Sequence, residues 1–231
     1  MKEKKYIILS AGKKNSDKIN VFMRKQVEKG KNGIKKFFDG VNKHSGIAKR
    51  QFSYIETFIK DRQVAAIHPS SKYLVKRVVK AMDLGRCGTV VEFGPAEGVI
   101  TSKILKELDK SGCLVAIERN EDFCRVLRKI NDGRIIPVNG DVRDFKDILD
   151  RLGISGADCV VSGIPFSFLA PEERVRLLRD IHSRLNHNGR FVAYQVTTHL
   201  IPLIKKQFPT VRVEFEVRNF PPHFIFTAFK K

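Results

Sequence analysis

Three small residues, Gly94, Ala96 and Gly98, follow a β-branched apolar run at intervals of two positions. Small residues let the backbone of a turn approach a ligand closely, and a helix that starts after such a turn offers unpaired N–H groups. Glu118 lies 20 residues past Gly98, at the end of the next apolar run. From that position a carboxylate accepts hydrogen bonds from both hydroxyls of a ribose. The spacing therefore predicts a nucleoside-binding turn.

Acidic residues around this turn restrict the kind of nucleotide. Glu92 precedes the turn and Glu97 lies within it. A pyrophosphate dinucleotide requires three glycines and few negative charges near its phosphates, whereas carboxylates favour a cationic ligand. Asp141, after the third predicted strand, is placed to reach the exocyclic amine of an adenine. The alternative is that the acids are solvated strand ends and the glycines only form a tight crossover.

The elements that must hold these residues alternate between strand and helix patterns. Strands are predicted at Thr89 to Phe93, Leu114 to Glu118, Ile135 to Asn139, Asp158 to Ser162 and Phe191 to Val196, with helical periodicity after the first four. Such alternation predicts an α/β fold with a parallel sheet covered on both faces. Residues 211–217 and 224–229 alternate around a turn and predict an antiparallel hairpin. We expect a mostly parallel, seven-stranded sheet.

A basic appendage precedes this domain. Residues 1–62 contain 17 Lys and Arg against 6 Asp and Glu, which is +11 of the total formal charge of +19. Apolar residues recur there at three- and four-residue steps with lysines opposite, which predicts amphipathic helices. Such helices lie in the headgroup plane of an anionic membrane, where each Lys or Arg contributes ~1 kcal/mol. The alternative is a helical hairpin packed on the main domain. We predict an extension over 1–62 and one domain over 63–231.

The sequence disfavours a membrane-spanning segment, a signal peptide, a zinc site and a disulfide framework. No apolar run reaches the ~18 to 20 residues that span a bilayer, and Tyr6 to Leu9 is too short for a signal peptide. The four cysteines occur singly, without CxxC or paired histidine spacing, so neither a zinc site nor a disulfide framework is expected. We expect a cytoplasmic monomer, bound peripherally to the membrane, without a metal.

The turn resembles the first motif of the class I methyltransferases that use S-adenosylmethionine, which reads acid, any residue, Gly, any residue, Gly, any residue, Gly. Ala96 replaces the middle glycine. The resemblance implies a Rossmann-like fold and S-adenosylmethionine as the cofactor. The cofactor-binding residues that it implies are Glu92, Gly94, Pro95, Ala96, Gly98, Glu118, Arg119, Asp141, Val142 and Ser162.

A second motif, SGIPF, follows the fourth predicted strand and resembles the catalytic loop of methyltransferases that act on amine nitrogens. In such a loop the first residue accepts a hydrogen bond from the attacking amine, the proline fixes the turn, and the aromatic ring supports a nitrogen that becomes cationic. The catalytic residues implied are Ser162, Gly163, Ile164, Pro165 and Phe166, and Tyr194, outside the loop, is a further catalytic candidate. The alternative is a buried turn with core aromatics.

An alkylammonium acceptor also has to lose a proton, because its pKa is ~10.4 by analogy with lysine. The sequence leaves the proton acceptor open among Tyr73, Tyr194 and His223.

Several segments together resemble the bacterial phospholipid N-methyltransferases, which convert phosphatidylethanolamine towards phosphatidylcholine. These segments are FIKDRQVAAIHPSSKYLVKRVV, VVEFGPAEGVIT, VVSGIPF, FVAYQVT and NFPPH, between about residues 58 and 230. The resemblance implies methylation of a lipid amine. An rRNA adenine dimethylase is the main alternative, since basic charge serves nucleic-acid phosphates equally well. That family has Asn at the position of Ser162 and Tyr at that of Phe166. A non-enzymatic membrane-binding protein would leave Glu92, Glu118 and Asp141 without a role.

Overall fold

The computed structural model describes residues 7–10, 70–219 and 221–231. The predicted amphipathic helices and the predicted domain boundary at residues 62 and 63 lie outside the described residues. The strands are β1 (Ile7–Ser10), β2 (Thr89–Phe93), β3 (Cys113–Glu118), β4 (Ile135–Asn139), β5 (Ala157–Ser162), β6 (Leu185–Gln195), β7 (Thr210–Glu216) and β8 (His223–Phe229). The α-helices are α1 (Lys72–Met82), α2 (Val99–Glu107), α3 (Glu121–Leu127), α4 (Phe145–Arg151), α5 (Pro171–Arg184) and α6 (Ile201–Gln207).

All of these strands belong to one sheet in the order β1-β7-β8-β6-β5-β2-β3-β4. Strands β2 to β6 pair in parallel, and β8 is antiparallel to both of its neighbours, β6 and β7. This confirms the mostly parallel sheet with its C-terminal hairpin, in which β2 to β8 are the seven predicted strands and β1 is an eighth. The chain order reverses at β2, because β3 and β4 extend the sheet on one side and β5 and β6 on the other. Ligands bind beyond the carboxyl ends of strands at such a switch point.

Strand β1 is an addition that the sequence pattern did not indicate. It pairs antiparallel with β7, with Ile7 opposite Val213 and Ser10 opposite Thr210. Its sequence, IILS, is a short apolar run without the alternation that marked the hairpin strands β7 and β8. The additional strand covers the open edge of β7, whose N–H and C=O groups would otherwise lack partners.

Both faces of the sheet are buried. The face that contains Val90 and Val161 packs against α1 and α2, and the face that contains Val91 and Val160 packs against α4, α5 and α6. Burial on both faces explains why β2, β3 and β5 have nearly continuous apolar sequences. Ser71 caps α1, accepting a hydrogen bond from the N–H of Leu74 at 3.3 Å. Among the described residues, no helix is long and apolar enough to cross a membrane.

Candidate active site

A cleft of about 530 Å³ lies at the carboxyl ends of the parallel strands. This volume falls in the range of ~300 to 1,000 Å³ that is typical of small-molecule sites. Turns that follow several different strands form its wall, because parallel strands all end at the same edge of the sheet. The predicted site residues that line it are Gly94, Pro95, Ala96, Glu118, Arg119, Asp141, Val142, Gly163, Ile164, Pro165 and Tyr194. Those that do not line it are Glu92, Gly98, Ser162 and Phe166.

The turn after β2 requires left-handed backbone at three alternate positions. The φ angles are 66° at Gly94, 49° at Ala96 and 80° at Gly98. Glycine adopts such angles without strain, whereas a residue with a Cβ is disfavoured there by about 1 kcal/mol. Ala96 is nevertheless held in place, because its N–H donates to Oε2 of Glu118 at 3.0 Å. The small residues thus have their spacing because the turn repeats one unusual conformation.

Glu118 lies at the end of β3 with only 8 % of its surface exposed. Its Oε2 accepts from the N–H of Ala96, and its Oε1 accepts from the N–H of Asn120 at 2.8 Å. A carboxylate offers about four acceptor positions, so roughly one on each oxygen remains for a ligand. The two backbone donors fix the direction of the carboxylate. This arrangement fits a ligand that presents two adjacent hydroxyls.

Asp141 is tied to a neighbouring arginine. Its Oδ1 accepts from the backbone N–H and Nε of Arg143, each at 2.9 Å, and its Oδ2 accepts from Nη2 at 2.8 Å. These hydrogen bonds lower the pKa of Asp141, which keeps it ionised. Arg143 also donates to Glu173 in α5 at 2.9 Å. The contact between Asp141 and an adenine amine remains a prediction. Oδ2 of Asp141 has one unused acceptor position that could accept a hydrogen bond from such an amine. No motif in the sequence pointed to Arg143, although its spacing from Asp141 was a usable signal.

Glu92 lies behind the turn. It shares its face of β2 with Val90, under α2, and its Oε2 accepts from Oγ1 of Thr101 at 2.7 Å. Burial raises the pKa of Glu92 to about 7, the Thr101 hydrogen bond opposes this change, and the negative charge of Glu118 adds to it. Glu92 therefore joins the end of β2 to the first turns of α2. No sequence pattern pointed to Thr101 as its partner.

Replacement of Glu92 by glutamine is expected to raise stability at alkaline pH. The ordinary pKa is 4.5 and the folded value about 7, so the favourable contribution of the protonated acid is complete below about pH 4.5 and is lost as the pH rises through 7. A difference of one pKa unit corresponds to about 1.4 kcal/mol. Between pH 4.5 and 8.5 the free energy of unfolding of Glu92→Gln should therefore rise by about 3 kcal/mol relative to that of the wild type. Urea denaturation at both pH values measures this difference. Glu172→Gln, at an exposed carboxylate, is the matched control, and a pH-independent difference for Glu92→Gln contradicts the prediction.

The loop after β5 interlocks with the turn after β2. A Cβ on Gly163 would lie 2.3 Å from the Tyr194 hydroxyl oxygen and 3.3 Å from the Gly94 carbonyl oxygen. A Cβ on Gly94 would lie 2.6 Å from Cγ2 of Ile164. The Ile164 carbonyl accepts from Nε2 of Gln195 at 3.2 Å. The close fit leaves no room for a side chain at either glycine.

Ser162 and Phe166, the first and last residues of the predicted catalytic loop, have buried side chains. Oγ of Ser162 has no hydrogen-bond partner among the described residues. The Phe166 ring packs in the core, 6.0 Å from the ring of Phe191. Phe168 lines the cleft instead and is 40 % exposed. Residues 166–168 form a 3₁₀ turn, in which side chains two positions apart point in different directions. The predicted cleft position of the Phe166 ring is therefore occupied by Phe168.

The β7–β8 connection also contributes to the wall of the cleft. Asn219 Oδ1 accepts from the N–H of Ser71 at 2.8 Å, and its Nδ2 donates to the Pro221 carbonyl at 2.9 Å. This connects the start of α1 to the hairpin. Ser70, Asn219, Pro221 and His223 all line the cleft. Tyr73 does not line it, because its ring packs 4.2 Å from the guanidinium of Arg218.

A class I methyltransferase is defined by this combination of sheet order, glycine turn and strand-end carboxylate. The solved 1,6-didemethyltoxoflavin-N1-methyltransferase of Burkholderia thailandensis, with bound S-adenosylhomocysteine, has the same fold, with a TM-score of 0.57 at 16% identity over 80% of this chain and 88% of that one. The ornithine lipid N-methyltransferase of Singulisphaera acidiphila is 33% identical over 179 residues, which cover 74% of this chain and 91% of that protein. The chain belongs to the family of this enzyme.

A local similarity extends to the RNA-modifying methyltransferases. The ribosomal RNA small subunit methyltransferase A of Mycoplasma capricolum is 25% identical over 96 residues, which cover 40% of this chain and 35% of that protein. No family model matches the sequence. The protein is an S-adenosylmethionine-dependent methyltransferase, and its cleft residues fit that cofactor. Glu118 has acceptor positions for two hydroxyls, and the small residues of the turn at 94–98 would let the backbone approach the cofactor.

Proposed function

We propose that this methyltransferase methylates the amine of a membrane-lipid headgroup, either phosphatidylethanolamine or a related amino-lipid such as an ornithine lipid. The observation that carries the proposal is the similarity to an ornithine lipid N-methyltransferase over nearly the whole length of that relative. The SGIPF loop, which resembles those of amine methyltransferases, lies at the cleft and supports the same acceptor chemistry.

The cofactor and the acceptor would occupy different parts of the cleft. Glu118, Asp141 and the turn at Gly94 would hold the nucleoside. Ser162 lies at the same edge of the sheet, as the last residue of β5, but its side chain is buried. S-adenosylmethionine supplies a methyl group that its sulfonium charge has already activated. The residues of this chain then have to place the acceptor nitrogen in line, and alignment of this kind provides much of the acceleration in such reactions.

The loop after β5 would form the acceptor side. Gly163, Ile164 and Pro165 line the cleft, as do Asn219, Pro221 and His223. The Gln195 amide fixes the Ile164 carbonyl, so the loop presents a constant surface. The Phe168 ring offers a face that stabilises a nitrogen as it becomes cationic. Tyr194, next to Gly163, would restrict the direction of approach.

The function can be tested by incubating the protein with labelled S-adenosylmethionine and three acceptors in parallel. These are vesicles that contain phosphatidylethanolamine, vesicles that contain an ornithine lipid, and ribosomal RNA. We expect label in one of the two lipids, and the mass of the product gives the number of methyl groups. Label in RNA alone would reject the lipid assignment in favour of the nucleic-acid alternative. No label in any acceptor would also reject it.

The basic extension would bring the enzyme to its substrate. Residues 1–62 carry +11, and Ser70, the first residue after them that the structure describes, lines the cleft. An anionic membrane that attracts the extension would therefore hold lipid headgroups near the cleft. Peripheral binding of this kind needs no membrane-spanning helix.

Removal of four charges from the extension is expected to weaken membrane binding strongly. Each lysine near an anionic surface contributes about 1 kcal/mol, so glutamine at Lys13, Lys14, Lys35 and Lys36 should weaken binding by roughly 100-fold or more. Vesicle flotation with anionic lipids measures the bound fraction. The matched control changes exposed lysines of the main domain, namely Lys80, Lys106, Lys110 and Lys129. Equal losses in both variants would show that only net charge matters.

A further inference from the structure

A lipid amine that receives the methyl group must lose a proton, so the site requires a group that accepts this proton. An alkylammonium, with a pKa of ~10.4 by analogy with lysine, is almost fully protonated at neutral pH. Its nitrogen then has no lone pair and cannot attack a methyl carbon. A group in the cleft must remove that proton before or during the transfer.

Most ionisable side chains in the cleft are unsuitable. Asp141 and Glu173 are both bonded by Arg143, and Glu118 is bonded by two backbone N–H groups on the nucleoside side. Burial raises the pKa of Tyr194, and the nearby charge of Glu92 raises it further, so its hydroxyl keeps its proton. His223 is the remaining candidate of the three that the sequence indicated, since Tyr73 does not line the cleft.

The hydrogen bonds of His223 determine which nitrogen carries the proton. Nδ1 lies 2.8 Å from the carbonyl oxygen of Pro221. A carbonyl oxygen can accept a hydrogen bond but cannot donate one. Nδ1 must therefore be protonated and donate to this oxygen, because two lone pairs at that distance would repel each other. Oδ1 of Asn219 accepts from the N–H of Ser71, and this orients the amide so that Nδ2 lies 2.9 Å from the same Pro221 oxygen and 3.1 Å from Nδ1. Because the contact of Nδ1 with the Pro221 oxygen is the shorter of its two contacts, Nδ1 donates to Pro221, and Nδ2 donates to Pro221 rather than to Nδ1. In the neutral ring the lone pair is then on Nε2.

The position of His223 suits the transfer of a proton from the amine substrate. As the first residue of β8, it lies at the same edge of the sheet as the carboxyl end of β6, and its ring centroid is 6.1 Å from that of Tyr194. The Tyr194 hydroxyl in turn reaches Gly163 in the acceptor loop. Nε2 makes no hydrogen bond to any residue in the described ranges.

The charges around His223 leave the ring neutral. Its cross-strand neighbour on β7 is Glu216, whose carboxylate bonds both Arg77, at 2.6 Å, and Arg218, at 2.7 and 2.8 Å. On β6 the neighbour is Tyr194, and the connection contributes the uncharged Asn219. Burial lowers the pKa of His223, and the bond to Pro221 opposes this change. A neutral ring with a free lone pair is the form that a proton acceptor requires.

We infer that Nε2 of His223 accepts the proton of the acceptor ammonium, an inference that rests on the proposed function. One N–H bond of the ammonium breaks, its electron pair stays on nitrogen as the lone pair, and the proton binds Nε2. The ring becomes an imidazolium that still donates from Nδ1 to Pro221. It returns the proton to water between turnovers.

The test replaces His223 by asparagine, whose side-chain amide keeps a donor near the position of Nδ1 but removes the basic nitrogen. At pH 7 the kcat for the lipid acceptor should fall about 100-fold, since positioned proton transfer contributes about 10² to 10⁴. At pH 10, where the amine loses its proton unaided, the deficit should shrink to a few-fold. The pH profile of kcat, measured on wild type and variant with the same vesicles, shows this difference.

Two further measurements make the outcome unambiguous. His223→Gln provides a second non-basic variant, and calorimetry with S-adenosylmethionine together with thermal unfolding at each pH shows whether the fold persists. A deficit that stays constant from pH 7 to 10 in a folded variant, or no deficit, overturns the inference. Wild-type activity on vesicles tests the proposed function separately, so its failure is distinguishable from failure of the His223 assignment.

Discussion

Glu118→Ala is expected to lower the affinity for S-adenosylmethionine by at least about 100-fold. The side chain is almost buried and directed at the cleft by the N–H groups of Ala96 and Asn120. Two hydrogen bonds from ribose hydroxyls to a carboxylate contribute about 1.5 to 3 kcal/mol each, so their loss corresponds to at least two orders of magnitude. The variant also leaves two backbone donors without an acceptor. Isothermal calorimetry measures the affinity directly.

The comparison for this variant is Glu121→Gln, three residues further along the chain. Glu121 is exposed and bonds Arg128 at 2.7 Å outside the cleft. We expect its affinity to match that of the wild type. Circular dichroism and thermal unfolding establish that Glu118→Ala keeps its fold. Unchanged affinity in a folded Glu118→Ala protein would remove Glu118 from the cofactor site.

Gly163→Ala is expected to lower kcat by about 100-fold. The new Cβ would meet the Tyr194 hydroxyl oxygen at 2.3 Å and its Cζ at 2.9 Å, distances at which atoms must move apart. The Tyr194 ring also has the ring of His223 nearby, with centroids 6.1 Å apart, so relief of the contact displaces the Tyr194 ring, the loop after β5, or both. A displacement of about 1 Å in a positioning element costs roughly 10²-fold in rate. Initial rates of methyl transfer to lipid vesicles measure the effect.

A second substitution distinguishes a steric clash with Tyr194 from a general disruption of the loop after β5. Tyr194→Phe removes the atom that the new methyl group meets first, so the double variant should recover part of the rate lost in Gly163→Ala. Gly85→Ala is the matched control, since a Cβ there meets nothing within 4 Å and its kcat should not change. A double variant no faster than the slower single variant contradicts the assigned contact.

The strands and the cofactor turn could be predicted because their signals are local. Burial on both faces produces the apolar runs of β2, β3 and β5, and the observed bounds of β2 and of the edge strand β4 coincide with those predicted. The spacing of Gly94, Ala96 and Gly98 reflects three positive φ angles, which depend on the backbone of this turn alone. Local periodicity also marked the hairpin, but it did not mark the four residues of β1, which pair with a strand some 200 positions later.

Contacts between distant segments were beyond the reach of such patterns. Motif position alone did not show that Glu92 bonds Thr101 instead of lining the cleft, or that Phe168 rather than Phe166 reaches the cleft. The tautomer of His223 depends on a carbonyl in the β7–β8 connection, whose shape Asn219 fixes through α1. The amino-acid sequence determined which chemistry is present, because residue types and backbone conformations are local properties. Only the tertiary structure decided which of these groups share the cleft, because the face and edge that each side chain occupies follow from how the sheet and helices pack.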